Sequence, residues 1–167
     1  MTTYAIVGAG QTAAVAARTL RRRGFDGRIE LIEGAGDTVR AVSDVAPIAM
    51  ASSAPRRVID AVLTHHGLIK RFTATVSSAE VPRGKPSPDV YLAAAKELGV
   101  PSDRCFAVED SSNGLRAAAA ADMTVVALPN PTYPPAEDAL TKAAYSAASL
   151  HDVRDYLLRG LKTAAAK

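Results

Sequence analysis

The sequence predicts an α/β protein, a three-layer α/β/α sandwich around a mostly parallel, Rossmann-like sheet. Short runs rich in β-branched residues alternate with segments of helical periodicity along the 167-residue chain. Strand–helix–strand units of this length need right-handed crossovers, which give parallel strand pairing. The composition, with 48% hydrophobic but only 5% aromatic residues, suits an aliphatic core between helices and a sheet.

Each predicted strand is a short apolar run bounded by turn residues. In chain order the strands are 4–7 (YAIV), 28–32 (RIELI), 47–51 (PIAMA), 72–76, 105–108 (CFAV) and 124–128, with a further extended piece from Tyr145. The predicted helices are 11–23, 38–45, 55–66, 88–98, 113–121 and 151–161. Functional residues are expected just after the strands, because the carboxyl ends of parallel strands lie at one edge of the sheet.

Charge and cysteine content narrow the class of protein. Twenty basic and seventeen acidic residues leave a formal charge of +3. The basic cluster Arg18, Arg21, Arg22 and Arg23 has the spacing of a solvated helix face, so no nucleic-acid partner is expected. A lone Cys105 cannot form an internal disulfide, and no apolar run approaches the roughly 18 residues of a membrane span. The N-terminus lacks a secretory pattern. These features predict a cytoplasmic protein without a membrane partner and leave its oligomeric state open.

Three segments carry polar residues at the predicted carboxyl edge of the sheet. They are IAMASSAPRRVIDAVL (48–63), GKPSPDVYLAAAKELGV (84–100) and CFAVEDSSNGLRAAAAADM (105–123), followed by the strand TVVALP. Taken in order, they resemble the haloacid dehalogenase (HAD) superfamily of phosphohydrolases, in particular its β-phosphoglucomutase-like branch. The resemblance covers about residues 35–153. It implies an HAD-like core that hydrolyses phosphate monoesters or acts on phosphosugars with the help of Mg²⁺.

Two of these segments offer phosphate-binding groups. Ser52 stands between a strand and a helix, where its hydroxyl and nearby backbone N–H groups, including that of Ser53, can bind a phosphate. The alternative role of such a serine is to cap the helix. Lys85 resembles the family's lysine, which neutralises phosphate and nucleophile; the alternative is a solvated surface lysine. The resemblance therefore implies Lys85 and Ser52 as catalytic residues, and Ser52, Ser53 and Lys85 as the phosphate site.

The third segment suggests a metal site. Adjacent carboxylates at the end of an apolar strand repel each other unless they share a cation. Mg²⁺ prefers hard oxygen ligands and retains several of its waters. The family's acidic pair reaches a magnesium ion, so the resemblance implies that Glu109 and Asp110 are metal ligands. The alternative, an acid that caps the next helix, is less needed because Ser111, Ser112 and Asn113 already supply caps.

The catalytic aspartates of the family are missing. Family members carry a nucleophilic aspartate after the central strand and a second aspartate, the general acid and base, two residues later. This sequence has no such pair, so hydrolysis is expected to be impaired or absent. The family branch also inserts a helical cap domain between the first two motifs. No cap domain is expected here, because a strand and its flanking helices use up the interval between Gly10 and Ala49.

A different resemblance covers the N-terminus. YAIVGAGQTA (4–13), continued through RIELIE, resembles the opening βαβ unit of ferredoxin-reductase-like pyridine nucleotide oxidoreductases. Gly8, Gly10 and Ala13 occupy the glycine, glycine and glycine-or-alanine positions of the dinucleotide fingerprint, and Glu33 the position of the ribose-binding acid. The resemblance implies an alternative function, the binding of FAD or NAD(P). The expected partner is thus a small phosphorylated molecule or a nucleotide.

The two resemblances together suggest a chimera with its seam near residues 34–37. Segment 1–34 would be dinucleotide-binding-like, 35–161 an HAD-like core packed with it as one domain, and 162–167 a disordered tail. A recombined or designed fold without catalysis is a third interpretation. Two registers stay open for the central strand. If YAIV fills that slot, Gly8 and Gly10 stand where the family has its aspartates; if RIELI fills it, Glu33 stands at the nucleophile position.

Overall fold

The computed structural model describes residues 4–9 and 34–165, with side chains described for 34–162. These residues form a six-stranded sheet in the order β3-β2-β1-β4-β5-β6. The strands are β1 (Tyr4–Ala9), β2 (Ile48–Ser52), β3 (Ala74–Ser77), β4 (Cys105–Glu109), β5 (Thr124–Ala127) and β6 (Tyr145–Ser146). Every pairing between these neighbours is parallel, which confirms the predicted α/β class.

Helices connect the strands of the described segments. They are α1 (Ala35–Ser43), α2 (Arg56–His65), α3 (Asp89–Glu97), α4 (Ser112–Ala120), α5 (Glu137–Leu140) and α6 (Leu150–Ala165). Helix α6 continues beyond its predicted end at Leu161, into the segment expected to be a disordered tail. The sequence analysis did not predict α5, which is a single turn after a proline-rich loop. Across the described ranges, no helix combines the length and the apolar character that crossing a membrane requires.

Two apolar clusters pack against opposite faces of the sheet. Successive strand residues point to opposite faces, so in β4 the side chain of Ala107 belongs to one cluster while those of Phe106 and Val108 belong to the other. The first cluster includes side chains of α3, α4 and α5, and the second includes side chains of α1, α2 and α6. The sheet therefore lies between two layers of helices, as the three-layer prediction requires.

The central slot of the sheet holds β1. Its register places Gly8 beside Ala51 of β2 and Ala9 beside Ser52, while on the other side Val7 pairs with Val108 of β4. Of the two registers left open by the sequence, the structure has the one in which YAIV is central. The alternative strand RIELI lies outside the described residues, as does Glu33.

Candidate active site

Buried polar side chains mark the carboxyl edge of the sheet. Ser52, Ser77 and Glu109 are each at most 1% exposed, and each is the last residue of its strand. Ser52 pairs with Ser77 across β2 and β3, and β1 runs between β2 and β4. The edge that the sequence analysis marked as functional is therefore where the fold concentrates its buried polar groups.

A buried ion pair joins Lys85 to Glu109. The side chain of Lys85 is 4% exposed and that of Glu109 is fully buried, and the ammonium Nζ contacts the carboxylate Oε1. Burying two charges is costly unless further hydrogen bonds satisfy them. Here the Tyr91 hydroxyl donates to Oε1 at 2.5 Å, while Oε2 accepts from the backbone N–H of Asp110 at 3.2 Å and from the Ser111 hydroxyl at 3.1 Å. Donors thus surround both oxygens of the carboxylate.

The Lys85 ammonium also reaches the strand on the other side of β1. Nζ donates to the backbone carbonyl oxygen of Ala51 in β2 at 3.3 Å, while Glu109 ends β4. Because β1 lies between β2 and β4, and Gly8 pairs with Ala51, the ammonium connects the two strands that flank Gly8. A positive charge is therefore fixed at the carboxyl end of the central strand.

Tyr91 completes this network from α3. It is fully buried, its hydroxyl accepts from the Lys85 ammonium at 3.2 Å, and Nζ lies 4.8 Å from the centroid of its ring. Burial first, and then the neighbouring Glu109 carboxylate, raise the pKa of Tyr91 well above its usual value. The hydroxyl therefore keeps its proton and remains a hydrogen-bond donor to Glu109. Helical periodicity in the sequence places Tyr91 on the apolar face of α3 and carries no information about its hydroxyl.

The close approach of α4 to Glu109 depends on a glycine. Gly114 is buried in the first turn of α4, where its N–H donates to the hydroxyl of the N-cap Ser111 at 3.1 Å. A Cβ atom at position 114 would overlap the carboxyl group of Glu109. In the sequence, Gly114 is the last residue of SSNG, a pattern that predicts a turn and a helix start. The structure adds a steric reason for glycine, which is the space taken by the carboxylate.

Asp110 differs from Glu109 in having an unused oxygen. Its side-chain Oδ1 is buried without a hydrogen-bond partner. Burial first, and then the charge of Glu109, raise the pKa of Asp110 above its usual value. An unpartnered carboxylate oxygen beside a second acid fits a hard cation such as Mg²⁺. No group of three or more His, Cys, Asp or Glu side chains capable of holding a metal occurs among the described residues.

The loop after β2 is held by hydrogen bonds from two serines. The Ser52 hydroxyl accepts from the Ala54 N–H at 3.1 Å within this loop. Ser52 does not cap α2, whose N-cap residue is Pro55, so the capping alternative is wrong. The Ser77 hydroxyl donates to the Ala54 carbonyl oxygen at 2.6 Å. Ser53, half-buried, lies between these anchored residues. Sequence reasoning missed Ser77, because the predicted strand ended at Val76, one residue short of it.

An ion pair ties the neighbouring loops together. Arg56, the first residue of α2, donates to both carboxylate oxygens of Glu80, at 2.9 and 2.7 Å. The hydrogen bond from Arg56 lowers the pKa of the Glu80 carboxyl, and so does the backbone N–H of Ser77, 2.9 Å from Oε2. The segments that follow β2 and β3 are therefore joined at the edge of the site.

Comparison with known proteins agrees with this geometry. The sequence model of the haloacid dehalogenase-like hydrolases matches residues 3–122, more than half of the chain. The chain belongs to this family. The similar solved structures include β-phosphoglucomutase and CbbY proteins, which share the fold of this HAD-like chain.

Several relatives of this HAD-like chain are phosphatases or bind phosphate. Hexitol phosphatase B of Escherichia coli (strain K12) is 40% identical over 84 residues, which cover 50% of this chain and 38% of that protein. A HAD family hydrolase from Deinococcus radiodurans R1, solved with bound phosphate and sodium, has a TM-score of 0.68 and 34% identity, covering 78% of this chain and 60% of the other. CbbY from Rhodobacter sphaeroides, in complex with phosphate, shares the fold with a TM-score of 0.74 at 21% identity, over 92% of this chain and 96% of the other.

The matches cover only part of each curated relative, and the family match includes the N-terminal segment of this chain. The matched segments span between 10% and 56% of the length of the curated relatives. The family match begins at residue 3, so it includes the segment interpreted as an oxidoreductase-like βαβ unit. The comparisons give that interpretation no evidence. Gly10, Ala13 and Glu33 lie outside the described residues, and their role as a dinucleotide fingerprint stays a prediction.

The fold gathers the predicted phosphate and metal residues of the HAD-like chain at one edge. Lys85 contacts Glu109 directly, Asp110 follows it, and Ser52 follows Ala51, whose carbonyl oxygen Lys85 contacts. Lys85 is therefore not the solvated surface lysine considered as its alternative. Tyr91 and Ser77 are the buried polar groups that the sequence analysis did not assign to the site.

Proposed function

We propose that this chain is a phosphate-binding core of the HAD-like hydrolase family, which takes a small phosphorylated molecule together with Mg²⁺ and hydrolyses it slowly or not at all. The observation that carries the proposal is the buried Lys85 ammonium, fixed between β2 and β4 at the carboxyl end of β1. Out of bulk water, this ammonium attracts a nearby phosphate more strongly than an exposed lysine does, while Glu109 balances part of its charge.

Each residue of the site has a distinct role in this proposal. The Lys85 ammonium faces the phosphate charge, and the Ser52 hydroxyl and the backbone N–H of Ser53 donate hydrogen bonds to phosphate oxygens. Asp110, with its unpartnered Oδ1, would hold Mg²⁺ directly. Glu109, whose two oxygens already accept four hydrogen bonds, would support the ion through its negative charge. The ion, when bound, neutralises negative charge on the phosphate oxygens.

Weak hydrolysis follows from what stands on the central strand. Covalent catalysis by this family needs a carboxylate at the carboxyl end of that strand, where β1 has Gly8. The two carboxylates of the site stand at the end of β4 and just beyond it. Glu109 is enclosed by four hydrogen-bond donors, which lower its power as a nucleophile. Neither acid is placed to take over the role of the missing aspartate.

The test combines binding and turnover. Calorimetry with inorganic phosphate should show binding that Mg²⁺ strengthens and that Lys85→Met abolishes, while turnover of an aryl phosphate stays near background. The double variant Gly8→Asp with Gly10→Asp should install Mg²⁺-dependent turnover, because β1 is the central strand. The absence of phosphate binding with and without Mg²⁺ would overturn the proposal. So would robust turnover by the unmodified chain that Asp110→Ala abolishes.

The substrate class is proposed from relatives. Hexitol phosphatase B and a CbbY protein solved with xylulose-(1,5)bisphosphate both act on or bind phosphorylated sugars or sugar alcohols. We therefore expect phosphorylated polyols to bind better than an aryl phosphate. Competition against inorganic phosphate in the same calorimetric assay ranks the two classes, and equal affinities would remove the preference.

A nucleotide is the second candidate ligand. Gly8, the first glycine of the dinucleotide fingerprint, lies near the carboxyl end of the central strand, which is where a Rossmann-type loop meets a pyrophosphate. Calorimetry with FAD, NAD and ADP separates this candidate from the first. Heat with NAD or FAD but none with phosphate would favour the nucleotide, and no heat at millimolar nucleotide would exclude it.

A further inference from the structure

We propose that Tyr91 is a positioning residue for Lys85. In this inference the Tyr91 hydroxyl, which contacts both the ammonium and the Glu109 carboxylate, holds the charged end of Lys85 at the carboxyl end of β1. The inference rests on the proposed function, in which that ammonium faces the phosphate. Tyr91 itself is not proposed to touch the ligand.

The hydrogen bonds around the hydroxyl have a single consistent direction. A phenol offers one donor and two acceptor positions. Tyr91 uses the donor on Glu109 Oε1, at 2.5 Å, and one acceptor position on Lys85 Nζ, at 3.2 Å. The same hydroxyl therefore contacts both members of the ion pair and fixes their relative position.

The ammonium is held by groups from three different elements. Its contacts are the Ala51 carbonyl oxygen in β2, the Glu109 carboxylate in β4 and the Tyr91 hydroxyl in α3. An ammonium has three protons, and these three acceptors match them. The lysine stem has four rotatable bonds and loses about 1.5–2 kcal/mol of rotamer entropy when fixed. The three contacts together offset this loss and keep Nζ in one place.

A purely structural role for Tyr91 would depend on its ring and not on its hydroxyl. Its ring belongs to the apolar cluster beneath α3, together with Ala94 and Leu115. Phenylalanine keeps the ring and removes only the hydroxyl, so Tyr91→Phe preserves this packing. The matched control is Tyr156→Phe in α6, where a half-buried tyrosine packs against Phe106 on the other face of the sheet.

The decisive experiment measures the position of Lys85 without any ligand. Lysines of the folded chain are acetylated, and mass spectrometry gives the labelling rate of each site. Lys85 should be slow in the parent chain and about fivefold faster in Tyr91→Phe, the factor expected for one lost hydrogen bond. The internal references are lysines elsewhere on the fold, Lys70, Lys96 and Lys142, whose labelling rates should not change. In the control Tyr156→Phe, the labelling rate of every lysine should stay the same. The inference would be overturned if the labelling rate of Lys85 were unchanged in Tyr91→Phe, or if the labelling rates of all lysines rose together.

Phosphate affinity then separates this inference from the proposed function. If the parent chain binds inorganic phosphate, Tyr91→Phe should weaken that binding about fivefold for the same lost hydrogen bond, with the melting temperature close to that of Tyr156→Phe. Equal phosphate affinity in parent and Tyr91→Phe would overturn the positioning role. If the parent chain binds no phosphate, the proposed function fails, and the labelling of Lys85 still decides whether Tyr91 positions the ammonium.

Discussion

Substituting Gly114 by alanine tests the geometry around Glu109 most directly. The added Cβ would occupy space that the Glu109 carboxyl group now fills. That carboxyl group is fully buried and is bonded to Lys85, Tyr91 and Ser111. Either the carboxylate leaves its partners or the start of α4 moves away from β4, and both responses cost free energy.

The size of the effect follows from three contributions. Overpacking a filled core costs about 1–3 kcal/mol, and the loss of one hydrogen bond to a charged group costs about 1.5–3 kcal/mol. Alanine favours a helix over glycine by about 1 kcal/mol, which offsets part of this. The net loss is about 1.5–5 kcal/mol, which in a domain of this size lowers the melting temperature by about 3–20 °C.

Thermal and urea denaturation followed by circular dichroism measure this loss. The matched control is Gly36→Ala in the first turn of α1, where the nearest atoms to an added Cβ belong to the end of the exposed Arg40 side chain, which can move aside. That variant should be neutral or more stable than the parent by up to about 1 kcal/mol. If Gly114→Ala behaves like Gly36→Ala, the carboxylate of Glu109 does not lie against α4 and the described site is wrong.

Three further predictions concern the loops and the metal. The hydrogen bond from Arg56 lowers the pKa of Glu80 in the folded chain. In acid the unfolded chain therefore binds more protons than the folded chain does. As a result the Arg56–Glu80 pair stabilises the fold at pH 7, and this stabilisation is lost as the pH falls through the lowered pKa. Glu80→Gln should therefore lower the free energy of unfolding by about 0.5–1 kcal/mol at pH 7. It should have no effect at a pH below the pKa of Glu80 in both the folded and the unfolded chain. Equal losses in urea denaturation at these two pH values would contradict this. Mg²⁺ should raise the melting temperature of the parent chain but not of Asp110→Asn, and an equal shift in both would assign the metal elsewhere. Ser77→Ala, which leaves the Ala54 carbonyl oxygen without its donor, should cost about 1–2 kcal/mol in urea denaturation; an unchanged free energy of unfolding would show that this bond is not needed.

The strands and most helices could be predicted because their signals are local. Apolar runs bounded by turn residues define β2, β4 and β5 to within about one residue at each end, and a parallel sheet then brings the ends of β2 and β4 to one edge. The sequence therefore predicts that Ser52 and Glu109 lie at that edge, and both end their strands there. Helix α1 begins at Ala35 instead of the predicted Thr38, because the left-handed conformation of Gly34 precedes it.

The side-chain contacts of the site could not be predicted in this way. Helical periodicity correctly places Tyr91 with Ala94 in the core, but the partner of its hydroxyl depends on how the loop with Lys85 folds back over α3. Likewise, nothing local shows that Gly114 makes room for a carboxylate, because that role depends on the distance between α4 and β4. Contacts between elements depend on the tertiary structure. A single sequence gives the types of the residues but not which of them meet.

The central position of β1 also sets the order in which the sheet can close. Tyr4–Ala9 pairs on one side with Ile48–Ser52 and on the other with Cys105–Glu109, so its two neighbours are separated from it by very different lengths of chain. Non-local pairings of this kind form slowly, because a long loop must close before any contact is gained. Before β4 pairs with it, β1 has one edge without a hydrogen-bonded partner. More than half of the chain must be synthesised before that edge can be covered. The pairing of β4 with β1 is also what brings Glu109 beside the end of β1, so the site cannot assemble before this long loop has closed.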